Sequence, residues 1–310
     1  MTRKKRIWLI VITGAFVAAI AVFLASQRYL VGHLEQVRPA IVISLVAVMI
    51  LVHAFNGLLL RAVASRFGVT LTVREWFGLP FVTAMGNYIT PFSGGMLARA
   101  SYLKLRHSFP YAKFVSAIGA SYLAYFWVAG IAGIAAVVLP AESPGHSGGL
   151  ILFFAAVVSI ISVFVLIPAV TIPGGNRAAL ALNSALEGWT FIRKDLPLLI
   201  RLALYTLATI LLNGILFWLA FGALSGGPVP FGRTFLVSIL YGFSILVRVT
   251  PGNFGISEAI ATLGSEILGM GAGIGLLASL LIRAASLIPI FTLGPVFSLV
   301  LTRELTGNKR

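Results

Sequence analysis

"RVTPGNFGISEA" (residues 248–259) stands between two short apolar runs of a chain that is otherwise mostly oily. It sets an arginine, a proline, two glycines, several polar side chains and a glutamate where the flanking residues suit lipid. Hydrophobic residues make up 59% of the 310 and charged residues 10%, and the mean hydropathy is +1.02. Several apolar runs exceed the length at which a buried helix of a soluble domain is the better reading. The composition therefore points to an all-α polytopic membrane protein. The longest polar connection, residues 171–201, is too short to enclose a core of its own. The absence of cysteine excludes disulfides, thiol nucleophiles and thiolate metal clusters. A net charge of +15 fits Lys and Arg kept on the cytoplasmic side and drawn to anionic lipid, so no nucleic-acid partner is expected.

Six stretches are long enough to cross about 30 Å of hydrocarbon at 1.5 Å per residue: 7–25, 40–60, 114–139, 150–170, 202–221 and 272–301. The first, Ile7–Ala25, is longer than the apolar region of a usual signal peptide and is expected to be an uncleaved helix. Two further apolar regions, 75–105 and 234–269, are interrupted by "NYITPFSGG" and "RVTPGNFG". Their legs would reach roughly 21–24 Å as helix, enough to enter a bilayer but not to span it comfortably.

Charge decides between spans and re-entrant hairpins. If each broken region returns to its own side, the four basic residues at positions 3–6 and thirteen others, out of 23, fall on the cytoplasmic side. If each crossed once, Lys104, Arg106, Lys113, Arg177, Arg193, Lys194 and Arg201 would lie outside. The positive-inside rule favours two hairpins, with both termini inside.

The hairpins reveal a repeat. "TPFSGGMLARA" (90–100) aligns with "TPGNFGISEAI" (250–260), pairing Thr90 with Thr250, Pro91 with Pro251 and Gly95 with Gly255. Each half is helix, helix, hairpin, helix: residues 1–139 with the cytoplasmic-side hairpin 75–105, and 150–310 with the outer-side hairpin 234–269. The segment 171–201 forms an interfacial cytoplasmic connection, with Leu182, Leu186 and Trp189 on one face. The first half starts inside and the second outside, so the repeat is inverted. Transporters built this way bind substrate near the midplane, where interrupted helices meet.

The polar residues of the two breaks are the candidate substrate contacts. In the outer hairpin Pro251 ends the first leg, while Gly252 and Gly255 allow a tight turn with open N–H groups. Arg248, at the end of that leg, either pairs with Glu258 and loop carbonyls or contacts an anion, since guanidinium matches phosphate. Glu258 either caps the second leg or acts as internal counter-ion or proton-linked carboxylate. Thr250, Asn253 and Ser257 supply hydrogen bonds. The inner hairpin offers Asn87, Thr90, Pro91, Gly94, Gly95 and Arg99. Arg99 either snorkels to the cytoplasmic interface or joins the site. Arg283 lies about 17 Å into the last helix, too deep for easy snorkelling, and Pro289 is expected to kink that helix. His53, Asn56 and Asn213 are expected to hydrogen-bond between helices. The surplus of arginine over acid suits an anionic head group. No metal site, zinc-protease motif, nucleophile elbow or Walker loop is present, so neither cofactor nor enzymatic activity is expected.

"PGNFGISEA" resembles the P-G-x-x-G-x-x-E-A signature of the lysylphosphatidylglycerol synthase transmembrane region, a flippase-like family. "NYITPFSGGMLAR" is similar to its N-x-x-x-P and G-E-x-x-R elements, and Arg283 fits its late-helix arginine. Met96 replaces the usual glutamate, and "SAIGASYLAY" (116–125) lacks an expected Glu-Arg pair. The resemblance implies a stand-alone form without the aminoacyl-transferase domain, in a bacterial cytoplasmic membrane. It implies movement of an anionic or lipid-linked amphiphile between leaflets. The alternatives are an intramembrane lipid-modifying enzyme, or a membrane scaffold partnering a separate glycosyltransferase or synthase.

Overall fold

The computed structural model of the protein describes residues 37–90, 92–139, 147–167, 173, 177–247 and 249–307. The expected first helix (7–25), Pro91 and Arg248 lie outside these residues. Among the described residues the regular structure is entirely helical. The α-helices are α1 (Pro39–Arg66), α2 (Val73–Ile89), α3 (Gly94–His107), α4 (Tyr111–Val138), α5 (Ser147–Leu166), α6 (Arg177–Arg193), α7 (Leu196–Leu224), α8 (Phe231–Gly242), α9 (Ile256–Ile267) and α10 (Ala272–Gly307).

Five of them, α1, α4, α5, α7 and α10, are long and apolar enough to cross a membrane. They correspond to five of the six stretches expected from the sequence. Their outward faces carry bare large side chains, such as Ile43 and Leu51 on α1, Leu152 and Ile160 on α5, and Leu204 on α7. In water such a surface would drive association; in a bilayer it is the lipid-facing side. Burial ranks the spans: 61% of the apolar window of α10 is inside the protein against 11% for α5. α10 is therefore central, while α5 hangs on α4 through the fully buried Phe154. α10 also runs through Pro289 and Pro295 as one helix.

The two interrupted regions fold as helix pairs. At 1.5 Å per residue, α8 and α9 are each about 18 Å long and α2 and α3 about 25 and 21 Å, all short of about 30 Å of hydrocarbon. α1 stops at Gly68, whose φ of 78° few side chains tolerate. Thr72 and Glu75 then form a capping box that starts α2: Glu75 N–H donates to the Thr72 hydroxyl at 3.3 Å, and Thr72 N–H to Glu75 Oε2 at 2.8 Å. The other Glu75 oxygen accepts from Tyr102 at 2.8 Å and lies 2.7 Å from His107 Nε2, with Arg106 at 4.0 Å. Burial pushes this carboxyl up, but the Thr72 N–H, Tyr102 and His107 together hold it below its ordinary value. One ionised carboxylate thus ties the last turn of α3 to the first turn of α2.

At its closed end the same pair depends on glycine. A Cβ on Gly95 would lie 1.9 Å from the Thr83 carbonyl oxygen, and one on Gly86 2.7 Å from the Gly95 Cα. The backbones touch there, and no side chain can stand between them.

The pairs and spans pack in a recurring pattern. α1 lies along α7; α2 packs on α10 and α8 on α4; α1 contacts α2 and α10, as α7 contacts α8 and α4. The largest apolar cluster joins α1, α4, α5, α7, α8, α9 and α10, with Phe217, Phe221 and Leu277 fully buried. At one end Arg66 of α1 reaches Asp195 at 2.8 Å, and Asp195 also caps α7 by accepting from Leu198 N–H.

The 171–201 connection differs in detail from its sequence reading. α7 begins at Leu196 rather than 202, because Asp195 caps it there. α6 docks on α4 through Gly188, where a Cβ would meet the Ser116 hydroxyl at 2.4 Å, while Ser116 donates to the Ala185 carbonyl at 2.7 Å. Trp189 and Ile192 are buried by that docking and Leu182 is left exposed. The small residues let α4 compete for a face that periodicity alone assigns to lipid.

Gly95→Ala is expected to lower stability by at least about 1–3 kcal/mol, the usual cost of overpacking, because the neighbour it meets is backbone. Gly119→Ala, which meets nothing within 4 Å, should be neutral or stabilising. Thermal unfolding of the two variants in the same detergent checks the contrast.

Candidate functional site

The second helix pair turns through two short 3-10 segments, Phe243–Leu246 and Pro251–Asn253, before α9 begins. Pro251 starts the second segment, and Gly252 and Asn253 both follow with φ of 58°. Gly252 is required twice over, since a Cβ there would also stand 2.5 Å from the Tyr88 ring of α2. The Thr250 hydroxyl donates to the Phe254 carbonyl at 2.8 Å, and Asn253 Nδ2 donates to the Ser244 carbonyl at 3.0 Å, tying one leg to the other. The tips of the two pairs therefore meet where Tyr88 covers Gly252.

Arg283 of α10 stands beneath that meeting point, 7% exposed, with Glu258 1% exposed. Its Nε donates to Glu258 Oε1. Its Nη1 donates to the Gly252 carbonyl at 2.8 Å and to the Tyr88 hydroxyl at 3.3 Å, and its Nη2 to the Ser257 hydroxyl at 2.7 Å. The rings of Tyr88 and Phe254 flank the guanidinium at 5.7 and 5.2 Å. The second Glu258 oxygen accepts from Gly255 N–H at 2.7 Å, capping α9 from the third residue of that helix. Glu258 is thus helix cap and counter-ion at once. Arg248, weighed in the sequence as a partner of Glu258, lies outside the described residues; the partners described are Arg283, the Gly255 N–H and the Ser257 hydroxyl.

Beside this cluster lies a cavity of about 440 Å³. α1 contributes His53 and Asn56, α2 Thr83, Asn87 and Tyr88, the turn before α3 Ser93, and α3 Arg99. Thr206, Thr209 and Asn213 come from α7, Tyr122 and Tyr125 from α4, and Ser238 and Tyr241 from α8. Thr250, Gly252, Asn253, Ser257 and Arg283 close it at the tip of the second pair. Arg99 turns inward: its Nε donates to the Thr83 hydroxyl at 2.8 Å.

The structure therefore brings Asn87, Arg99, Thr250, Asn253, Ser257 and Arg283 to one cavity, with Glu258 behind Arg283. Thr90 is not among its lining: it is exposed, and its hydroxyl donates to the Gly86 carbonyl at 2.6 Å. Gly94 packs on that Thr90 side chain, while Gly95 sits in the α2–α3 crossing. The tyrosines and the hydroxyls of α7 and α8 went unremarked in the sequence. Their signal was periodicity: His53 and Asn56, then Thr206, Thr209 and Asn213, recur at three- and four-residue spacing on otherwise apolar helices. In a spanning helix that marks a polar stripe as well as helix–helix bonding.

Compared with known protein families, residues 10–294 match the family described as lysylphosphatidylglycerol synthase TM region. No curated protein and no solved structure matches the chain.

Removing either member of the buried pair strands the other charge, which typically costs about 3–5 kcal/mol. Glu258→Gln and Arg283→Gln are each expected to lose stability on that scale, and Glu258→Leu combined with Arg283→Met to lose far less than the sum. A double-mutant cycle on unfolding in detergent measures the coupling; strictly additive losses would contradict the pair.

Proposed function

The chain belongs to the lysylphosphatidylglycerol synthase transmembrane-region family, and on that premise we propose that it moves a lipid with an anionic head group between membrane leaflets. The family places the chain in membrane-lipid biology, and its apolar helices make it a multi-pass integral membrane protein. The observation that carries the transport reading is the cavity itself. Two arginines, Arg99 and Arg283, and several hydroxyl and amide side chains line an otherwise apolar chamber inside helices whose outer faces carry large apolar side chains. A lipid head group needs such a chamber to cross the midplane, while its tails stay in the bilayer.

Alternating access follows from an inverted repeat in which α1 to α4 correspond to α7 to α10, omitting the connection. The recurring contacts support it: α1 against α7, and α2 on α10 mirrored by α8 on α4. The α2–α3 pair enters from the cytoplasmic side and the α8–α9 pair from the outer side, their tips meeting at Tyr88 and Gly252. Rocking of one half against the other would expose the chamber to each leaflet in turn. A general-base role for Glu258 gains no support, because both its oxygens are engaged.

In proteoliposomes the wild-type chain is expected to speed leaflet exchange of a labelled anionic lipid. Arg99→Gln should slow it about ten- to a hundred-fold, the scale of one charge-assisted hydrogen bond worth about 1.5–3 kcal/mol. Exchange no faster than in protein-free liposomes, for every anionic lipid tried, would refute the proposal.

A further inference from the structure

The two helix pairs are built alike but are not held alike. On the register that aligns residues 90–100 with 250–260, Leu97, Ala98, Ser101 and Leu105 of α3 answer to Ser257, Glu258, Ala261 and Ser265 of α9. All four α9 residues are buried, and α9 lies along α10. A Cβ on Gly275 of α10 would stand 2.2 Å from the Ser265 hydroxyl and 2.8 Å from the Ala261 carbonyl oxygen, so that seam is shut at backbone distance. The α3 counterparts are uncovered: Leu97 is 71% and Leu105 74% exposed, Ala98 is exposed and Ser101 half-buried. α3 meets α4 toward its C-terminal end, where Ser101 and Lys104 lie against Tyr111. Farther along α4, Val115 is exposed and a Cβ on Gly119 would meet nothing within 4 Å.

From this we infer that the two pairs are unequal gates: the seam between α3 and α4 opens and closes freely, whereas that between α9 and α10 is latched by Glu258 and Arg283. The inference rests on the alternating-access reading above and gives the two halves of the repeat different parts.

Charge accounts for the difference. Glu258 and Arg283 join α9 to α10. In the first half Ala98 stands where α9 has Glu258, and the turn of α4 that answers to Arg283, residues 122–125 (YLAY), holds no charged side chain. Parting α9 from α10 strands a carboxylate and a guanidinium in a medium that solvates neither. Parting α3 from α4 exchanges contacts among small and apolar side chains for contacts with lipid tails, which are just as apolar. The first step is costly and the second close to balanced. Glu75 and the bond from Arg99 to Thr83 hold α3 to α2, so the seam that yields is the one against α4. Both sides of that seam line the chamber, with Met96 and Arg99 from α3 and Ile118 and Tyr122 from α4. Its opening is therefore an opening of the chamber.

The chain has no cysteine, so spin labels can be placed in pairs on exposed positions of the protein in proteoliposomes. Leu97→Cys with Ile131→Cys spans α3 and α4, and Leu263→Cys with Ile288→Cys spans α9 and α10. Pulsed electron paramagnetic resonance is expected to give a two-peaked or broad distance distribution for the first pair, spread over on the order of 5 Å, about one helical turn. The second pair should give a single narrow peak. Glu258→Gln, which removes the latch charge, should raise the open fraction across α9 and α10 about a hundredfold or more and so add a second peak there. Equal widths in the two otherwise unaltered pairs, or a broader distribution across α9 and α10, would overturn the inference. A Glu258→Gln chain that folds with its α9–α10 distances unchanged would overturn it too; should that variant not fold, the first comparison decides alone. Leaflet exchange measured on the same proteoliposomes separates the two levels. Unequal gates without lipid movement would count against the lipid-moving reading, and lipid movement with equal gates against the inference alone.

Discussion

A guanidinium sealed among helices is tolerable only when its charge and its N–H groups are met, and Arg283 is met by two distant parts of the chain. Glu258 and Ser257 come from the start of α9, Gly252 from the turn before it, and Tyr88 from the end of α2. None of these contacts survives alone. Without the αL turn at Gly252 and Asn253, Glu258 would not face α10; without Glu258, α9 would lose its cap and Arg283 its counter-charge. An intramembrane charge costs at least about 2.5–3.5 kcal/mol even on insertion scales, so the cluster is a constraint on the fold before it is anything else. It fixes where the two helix pairs meet, and so where the chamber lies.

The same device serves the first pair. Glu75 and Glu258 each occupy the third position of a helix, cap the backbone there, and turn the rest of the carboxylate inward to a cation or hydroxyl. Glu75 gathers Tyr102, His107 and Arg106 and clamps the open end of α2–α3; Glu258 gathers Arg283 and anchors α9 to α10. One buried carboxylate thus holds each short helix pair in place: Glu75 by tying α3 to α2, Glu258 by tying α9 to α10.

Much of this was legible in the sequence because lipid simplifies the code. Apolar run length located α1, α4, α5, α7 and α10, with ends off by as many as six residues, and Pro-Gly clusters located both breaks. The depth of Arg283 came from the rise per residue. What could not be read was partnership: Glu258 and Arg283 lie 25 residues apart on separate helices, and Arg248 was the nearer candidate along the chain. The docking of α6 on α4 was hidden for a related reason. It depends on small residues, Gly188 against Ser116, while hydrophobic periodicity registers only large ones. The polar stripe of Thr206, Thr209 and Asn213 was visible but ambiguous, since hydroxyls on a spanning helix serve a neighbour or a chamber equally well until the neighbours are placed.

On the proposed reading, a head group sits between the tips of the two helix pairs, over an intact Arg283–Glu258 pair. A cryo-electron microscopy map of the wild-type chain in nanodiscs of phosphatidylglycerol tests it most directly. Head-group density is expected against Arg99 and Arg283 within the chamber, with Glu258 still on Arg283 and Gly255. Lipid density confined to the outer faces of the spanning helices, with the chamber holding only water or side chains, would contradict it.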